Sequence, residues 1–201
     1  MIQHGSTSNT QGLISETIQH TLTLIDISFV SCIELFIDLI NSFLSVAHTT
    51  RLTVNFEIST DILSQFIHRL PNLISLSVWG LLSSKTKFVS INEENIENKI
   101  LKVRLENMST LQQIESIMHM CSCMEYLELG HINDTNIQAL VQLILIKHEE
   151  NINHHFTLCL KNDQADNEII QELQRMIDTK IQHGNYTIKL AYGNIYLKCQ
   201  L

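Results

Sequence analysis

The chain has 201 residues, of which 44% are hydrophobic and 17% are charged, so its composition is that of a globular protein and not of a disordered one. One proline and six glycines are too few for the many tight turns of an all-β sandwich or barrel. A net charge of -8 without a basic cluster disfavours non-specific nucleic-acid binding and docking to an anionic membrane.

The first segments of the chain predict a loose start followed by a strand and a helix. Residues 1–20 are polar and predict a flexible N-terminus, and residues 21–201 predict one α/β domain. Thr21–Ser28 alternates apolar and polar residues, as a strand does. Phe29–Val46 predicts an amphipathic helix, and the charges within it argue against a membrane span.

From residue 50 onward, a unit of one strand and one helix recurs along the chain. The apolar-x-apolar cores of successive strands begin 24, 27, 24, 31 and 30 positions apart. A period in this range is typical of solenoid proteins. The strand cores are Leu52-Thr53-Val54, Leu76-Ser77-Val78, Val103-Arg104-Leu105, Leu127-Glu128-Leu129, Leu158-Cys159-Leu160 and Ile188-Lys189-Leu190. Strands that alternate with helices predict parallel pairing through right-handed crossovers.

The first well-defined helix of this array has an apolar stripe from Ile62 to Leu70, and Pro71 ends it. Thr60 or Asp61 is the predicted N-cap. The region of about 82–98 interrupts the rhythm with serine, lysine, asparagine and glutamate, so we predict an inserted loop there.

Three further helices are expected between the later strands, and a hairpin ends the chain. Ser109 or Thr110 caps the first of these helices, Asp134 or Thr135 the second, and Asp166 or Asn167 the third. Tyr186–Tyr192 and Ile195–Lys198 flank Gly193-Asn194, which is a favourable hairpin turn. This hairpin is expected to close the C-terminal end of the array.

The outward-facing positions of the strands form the candidate binding surface. In an apolar-x-apolar strand the middle residue faces away from the core, and the residue after the core does the same. Two rows result: Thr53, Ser77, Arg104, Glu128, Cys159, Lys189, and Asn55, Trp79, Glu106, Gly130, Lys161, Ala191. Tryptophan and arginine often anchor interfaces. The candidate partner-binding residues are therefore Trp79, Arg104, Glu106, Glu128, Lys161 and Lys189, with Trp79 expected beside Arg104. Two alternatives stay open: Trp79 packs beneath the insertion, and Arg104 and Glu128 simply pair across adjacent strands.

Catalytic and cofactor motifs are not found in the sequence. It contains neither a glycine-rich phosphate loop nor a Gly-x-Ser-x-Gly elbow nor a His-Glu-x-x-His pair. Cys121-x-Cys123, even with His119, lacks the four ligands of a structural zinc site. We therefore expect no cofactor, no metal and no catalytic residue, and buried reduced cysteines indicate the cytosol or the nucleus.

Two segments, Leu70–Val78 and Met120–Leu129, resemble long, irregular leucine-rich repeats of the kind found in F-box/leucine-rich-repeat proteins. The resemblance covers roughly residues 50–192. It implies a short leucine-rich-repeat-like solenoid with parallel strands on its concave face and helices on its convex face. In that family the repeats recruit a substrate, while an F-box binds the Skp1 adaptor of a cullin ubiquitin ligase. The F-box opens with a Leu-Pro-x-Glu/Asp segment, which residues 1–50 do not contain.

We therefore expect a non-catalytic protein-protein interaction module that binds a protein partner on its concave face, as the substrate-recognition region of an F-box-type adaptor does. The Skp1-cullin complex is a further expected partner if an F-box lies upstream. A stand-alone scaffold or regulatory protein without a ubiquitin link is the alternative. A small α/β enzyme is the third candidate, and it would need acid, base or metal ligands that converge in a pocket.

Overall fold

A computed structural model of the protein describes residues 2–5, 20–24, 49–82, 98–108, 110–132, 137–150, 155–161, 166–180 and 185–200. The chain divides into two compact units, Met1–Lys99 and Ile100–Leu201. The predicted helix Phe29–Val46 and residues 83–97 of the predicted insertion lie outside the described residues.

The first unit contains four described strands and one described helix. Strands β1 and β2 pair antiparallel, whereas β2 with β3 and β3 with β4 pair parallel. The elements are β1 (Ile2–Gly5), β2 (His20–Leu24), β3 (Thr49–Ser59), α1 (Thr60–Arg69) and β4 (Ser75–Leu82). Strand β1 lies in the N-terminal segment for which the sequence predicts no regular structure.

Helix α1 follows strand β3 directly, and its cap lies one residue earlier than expected. The Ser59 hydroxyl accepts a hydrogen bond from the Ile62 N–H at 3.4 Å, so the predicted N-cap at Thr60 or Asp61 is wrong. Thr60 is instead a buried first helical residue. The apolar stripe behaves as its spacing predicts, because Leu63 and Phe66 are almost fully buried.

The second unit contains five described strands and three described helices. Strand pairs β5–β6 and β6–β7 are parallel, and β7–β9 and β8–β9 are antiparallel. The elements are β5 (Lys102–Met108), α2 (Leu111–Met120), β6 (Tyr126–Ile132), α3 (Ile137–Glu150), β7 (Phe156–Lys161), α4 (Asn167–Lys180), β8 (Asn185–Ala191) and β9 (Asn194–Gln200). Over both units, four of the seven described strand pairs are parallel, so a mixed α/β fold with mostly parallel strands is confirmed.

Side-chain alternation along these strands places one face of the sheet in the core. The apolar positions of neighbouring strands pair with one another and are at most 1% exposed: Val103, Leu105, Leu127, Leu129, Leu158, Leu160, Ile195 and Leu197. The apolar stripes of α2 and α3 complete this core with Ile114, Ile117, Leu140, Val141, Ile144 and Leu145. Burial of these side chains is the main source of the stability of the unit.

Two predicted helix starts in the second unit are confirmed. Thr110 is the N-cap of α2, and the Gln113 side chain accepts a hydrogen bond from the Thr110 N–H at 3.1 Å. An oxygen of Asp166 accepts hydrogen bonds from the N–H groups of Glu168 and Ile169 at the start of α4.

The C-terminal hairpin differs from the predicted one in its strand order and in its turn residues. Strand β9 pairs with β7, so β8 lies one strand further out and Lys189 neighbours Tyr196, not Cys159 as the repeat pattern predicts. The reason is that a tight turn makes the two hairpin strands antiparallel, and the returning strand then occupies the site beside β7. The turn residues are Tyr192 and Gly193, with φ values of 53° and 72°, and not Gly193-Asn194.

Within the described residues, no helix is long and apolar enough to cross a membrane.

The positive φ of Tyr192 leads to a stability prediction. Its side chain is 98% exposed and so contributes no packing, while an ordinary residue in the left-handed region is strained by roughly 1–2 kcal/mol. Tyr192→Asn should raise the free energy of unfolding by about 0.5–1 kcal/mol, because Asn-Gly suits this turn. Gly193→Ala should lower it by about 1 kcal/mol. Urea titrations measure both values, and a destabilised Tyr192→Asn variant would contradict this account of the turn.

Candidate interaction face

The side chains of β5–β9 that point away from the core form what we call the polar face. Strand register aligns them in rows that cross the sheet. The first row is Lys102, Tyr126, Thr157, Lys198 and Thr187, and the second row is Arg104, Glu128, Cys159, Tyr196 and Lys189. Arg104 and the lysines of both rows are exposed. The polar face is therefore open to a partner at these positions.

An ion-pair network joins four charged side chains across β5, β6 and β7. Arg104 pairs with Glu106 on its own strand, and its Nε lies 3.4 Å from an oxygen of Glu128. The Lys161 amine lies 2.8 Å from the same Glu128 oxygen and 4.0 Å from Glu106. Two cations and two anions balance one another. Because the side chain of Glu128 is 18% exposed, water screens this pair of contacts less than it screens a fully exposed pair.

The Cys159 thiol and the Tyr196 phenol of the second row lie beside the Tyr126 phenol of the first row. The Tyr126 hydroxyl donates a hydrogen bond to Glu128 at 3.4 Å. Burial raises the pKa of Tyr126 above its usual value, and the neighbouring Cys159 adds to the shift. A hydrogen bond with Cys159 raises the pKa of Tyr196. Both phenols are therefore neutral at physiological pH, where they can act as hydrogen-bonding groups and flat apolar contacts.

Gly130 on β6 allows strands β5 and β6 to approach closely. A Cβ atom at this position would lie 2.8 Å from both the Cα and the carbonyl carbon of Glu106, and closer still to the carbonyl oxygen. Backbone atoms cannot turn aside as a flexible side chain does. The glycine thus keeps β5 beside β6, where Arg104 reaches Glu128.

The structure brings together most, but not all, of the residues that the sequence selects. Arg104, Glu106, Glu128 and Lys161 share the ion-pair network. Lys189 is exposed on the outermost strand of the unit. Cys159, which the pattern places among the outward residues, is only 2% exposed because it lies among the two phenols.

Trp79 belongs to the first unit, on β4. It is 47% exposed. Strand β3 has a bulge opposite it: Val54 pairs with Val78 and Glu57 pairs with Gly80, so that two residues of β3 face Trp79. The expected proximity of Trp79 to Arg104 stays a prediction.

Sequence reasoning missed the whole first row of the polar face, which includes Lys102 and Lys198, and it missed Tyr196 of the second row. The alternation that selects Arg104 also selects Lys102, two residues earlier on the same strand. Tyr196 and Lys198 lie outside the predicted rows because the sequence pattern makes β9 part of a terminal cap, whereas in the structure β9 is the strand beside β7.

Two buried cysteines, Cys121 directly after helix α2 and Cys199 on β9, have the properties of structural thiols. Burial raises the pKa of Cys121 to about 12, and the nearby Cys123 contributes to the shift. Burial likewise raises the pKa of Cys199 to about 12. Thiols with such values remain protonated at neutral pH and are poor nucleophiles. Among the described residues, no group of three or more histidine, cysteine or acidic side chains is arranged to hold a metal ion.

Comparison with known proteins yields no match: no family model, no curated protein and no solved structure is similar to this chain.

The close approach of Gly130 to the Glu106 backbone predicts the sign of the stability change when alanine replaces the glycine. A glycine replaced by alanine where space is free stabilises a protein by about 0.4–1 kcal/mol. Gly130→Ala should instead lower the free energy of unfolding by about 1–3 kcal/mol, because the new methyl group overlaps the Glu106 backbone. Urea denaturation of the variant and the wild type measures the difference. An unchanged or increased stability would show that β5 and β6 separate without loss.

Proposed function

We propose that this protein is a non-catalytic protein-protein interaction module and that the polar face of the second unit contacts the partner. The observation that carries the proposal is the open polar face itself. It combines exposed cations, a balanced ion-pair network and two neutral phenols on one side of a sheet whose other side is the core. Aromatic side chains and arginine are the groups that most often contribute binding energy at interfaces.

The proposed architecture is a short leucine-rich-repeat-like solenoid. Its support is the order of the strands within each unit: β3 pairs with β4, and β5, β6 and β7 pair in sequence, all in parallel. A described helix follows β3, β5 and β6 before the next strand. Repeats of this kind present their strands on the binding side. The C-terminal hairpin then acts as the cap of the array.

The more specific role that we propose is selection of substrates for ubiquitination. It rests on the likeness of Leu70–Val78 and Met120–Leu129 to the repeats of F-box proteins. In this role the chain makes and breaks no bonds itself, and Skp1 with its cullin is the second partner. The proposed compartment is the cytosol or the nucleus, which suits the free thiols of Cys121, Cys123, Cys159 and Cys199.

Two substitutions test the binding role. Arg104→Ala tests the polar face of the second unit, and Trp79→Ala tests separately whether the exposed tryptophan of the first unit contacts a partner. Each should reduce capture of partner proteins from cells about tenfold, as expected at an interface anchor. Each should change the thermal midpoint only slightly, since both side chains are about half exposed. The readout is affinity purification of the tagged chain, with mass spectrometry of the proteins that co-purify.

Matched controls separate loss of binding from loss of side-chain volume or charge. Ile74→Ala removes another apolar side chain of the first unit, 41% exposed, and Arg175→Ala removes an exposed arginine from α4. Both controls should retain the partners. If the controls lose the same proteins as the test variants, the proposed surface is wrong.

The same purification tests the ubiquitin role. Recovery of Skp1 and a cullin with the wild-type chain would support substrate selection. Reproducible partners without Skp1 or a cullin would instead identify a stand-alone binding scaffold, and the ubiquitin role would be abandoned while the interaction role would remain.

A further inference from the structure

The strands of the second unit carry an excess of positive charge that contrasts with the rest of this acidic chain. Strands β5–β9 contain five lysine or arginine residues and two glutamates, and all seven belong to the polar face. The whole chain has 13 basic and 21 acidic residues. Charge of the opposite sign is therefore concentrated on the one face that the core leaves open.

The excess positive charge lies at two positions of the first row and one position of the second row. Arg104 and Lys161 are neutralised by Glu106 and Glu128, which leaves Lys102, Lys198 and Lys189. These three lysines are exposed, and none of them forms an ion pair with a residue that the structure describes. The first row holds two of them and no anion, with Tyr126 and Thr157 between them.

We infer that the first row binds an acidic, extended segment of the partner protein that runs across the strands. This inference rests on the proposed interaction role and names the chemistry of the partner. Carboxylates of such a segment would pair with the amines of Lys102 and Lys198. The hydroxyl of Thr157, between them, can hydrogen-bond to the segment backbone.

The geometry sets the spacing of the acidic residues in that segment. Lys102 on β5 and Lys198 on β9 are three strand positions apart, or about 14 Å at about 4.8 Å per strand. An extended peptide advances about 3.3 Å per residue, so carboxylates about four residues apart reach both amines. Residues four apart in an extended chain also point to the same side.

A protein segment fits this face better than a single-stranded nucleic acid does. A nucleic acid carries a phosphate at every nucleotide, whereas the balanced ion-pair network leaves unneutralised cations only at the spaced positions Lys102, Lys198 and Lys189 of strands β5–β9. A peptide can place neutral side chains between those positions. The net negative charge of the whole chain also repels a densely charged polyanion more strongly than it repels a peptide with a few spaced carboxylates.

The test uses the full chain and a fluorescein-labelled peptide with aspartate at every fourth position and serine or glycine elsewhere. Fluorescence anisotropy at low and at physiological salt should show binding that weakens as salt rises. The same peptide with asparagine in place of aspartate should not bind. Lys102→Gln/Lys198→Gln should weaken binding of the aspartate peptide by about five- to thirtyfold.

A second double variant controls for net charge. Arg69→Gln/Arg175→Gln removes two exposed cations from helices α1 and α4, and it should weaken peptide binding by less than about twofold. Equal losses in the two double variants would overturn the inference, since the effect would then come from total charge. Absence of binding by the wild-type chain would overturn it as well.

Two further comparisons, poly-uridine binding and partner capture by the variants, distinguish an acidic segment from other kinds of ligand. Tighter binding of single-stranded poly-uridine than of the aspartate peptide, lost in Lys102→Gln/Lys198→Gln, would replace the acidic segment with a nucleic acid. Partner capture that survives this double variant but is lost in Arg104→Ala would overturn the acidic segment while leaving the proposed interaction role intact. If every variant of the polar face retained full capture, the proposed role itself would fail.

Discussion

The register of β6 between its neighbours is the constraint on which both the core and the polar face depend. Leu127 pairs with Val103 and Leu158, and Glu128 pairs with Arg104 and Cys159. A shift of one residue would turn the Glu128 side chain into the core and expose the leucines on either side of it. Burial of an unpaired carboxylate is far more unfavourable than any gain from the new contacts, so the hydrophobic core fixes which charges the protein presents.

The polar face contains two kinds of charged group: an ion-pair network in which the charges balance, and exposed lysines whose positive charge is in excess. Arg104, Glu106, Glu128 and Lys161 satisfy one another, and contacts of this kind add little to the stability of a folded chain when they are partly exposed. They do orient the side chains around the centre of the face. The exposed lysines of β5, β8 and β9 lie beside that centre, and the network does not neutralise their charge.

Much of this fold follows from local patterns in the sequence. Apolar alternation and helical spacing locate the strands and helices, because the side chains that become buried, such as Leu127 and Leu63, recur at the period of their own element. The order of the last two strands could not be obtained in this way. The Ile188-Lys189-Leu190 core has the same pattern as a repeat strand, and only the antiparallel return through Tyr192-Gly193 gives β9 the position beside β7. The expected burial of Cys159 is confirmed although its strand position faces away from the core, and its hydrogen-bond partner Tyr196 comes from that same strand β9.

Protection of individual lysines tests the central claim, that the polar face is the binding surface, most directly. The chain would be acetylated with a lysine-specific reagent, alone and with its captured partners bound, and the extent of modification at each lysine measured by mass spectrometry. The account predicts that the partners protect Lys102, Lys189 and Lys198, while Lys147 on α3 is modified to the same extent in both samples. Unchanged modification of the three face lysines, with protection confined to the helices, would contradict it.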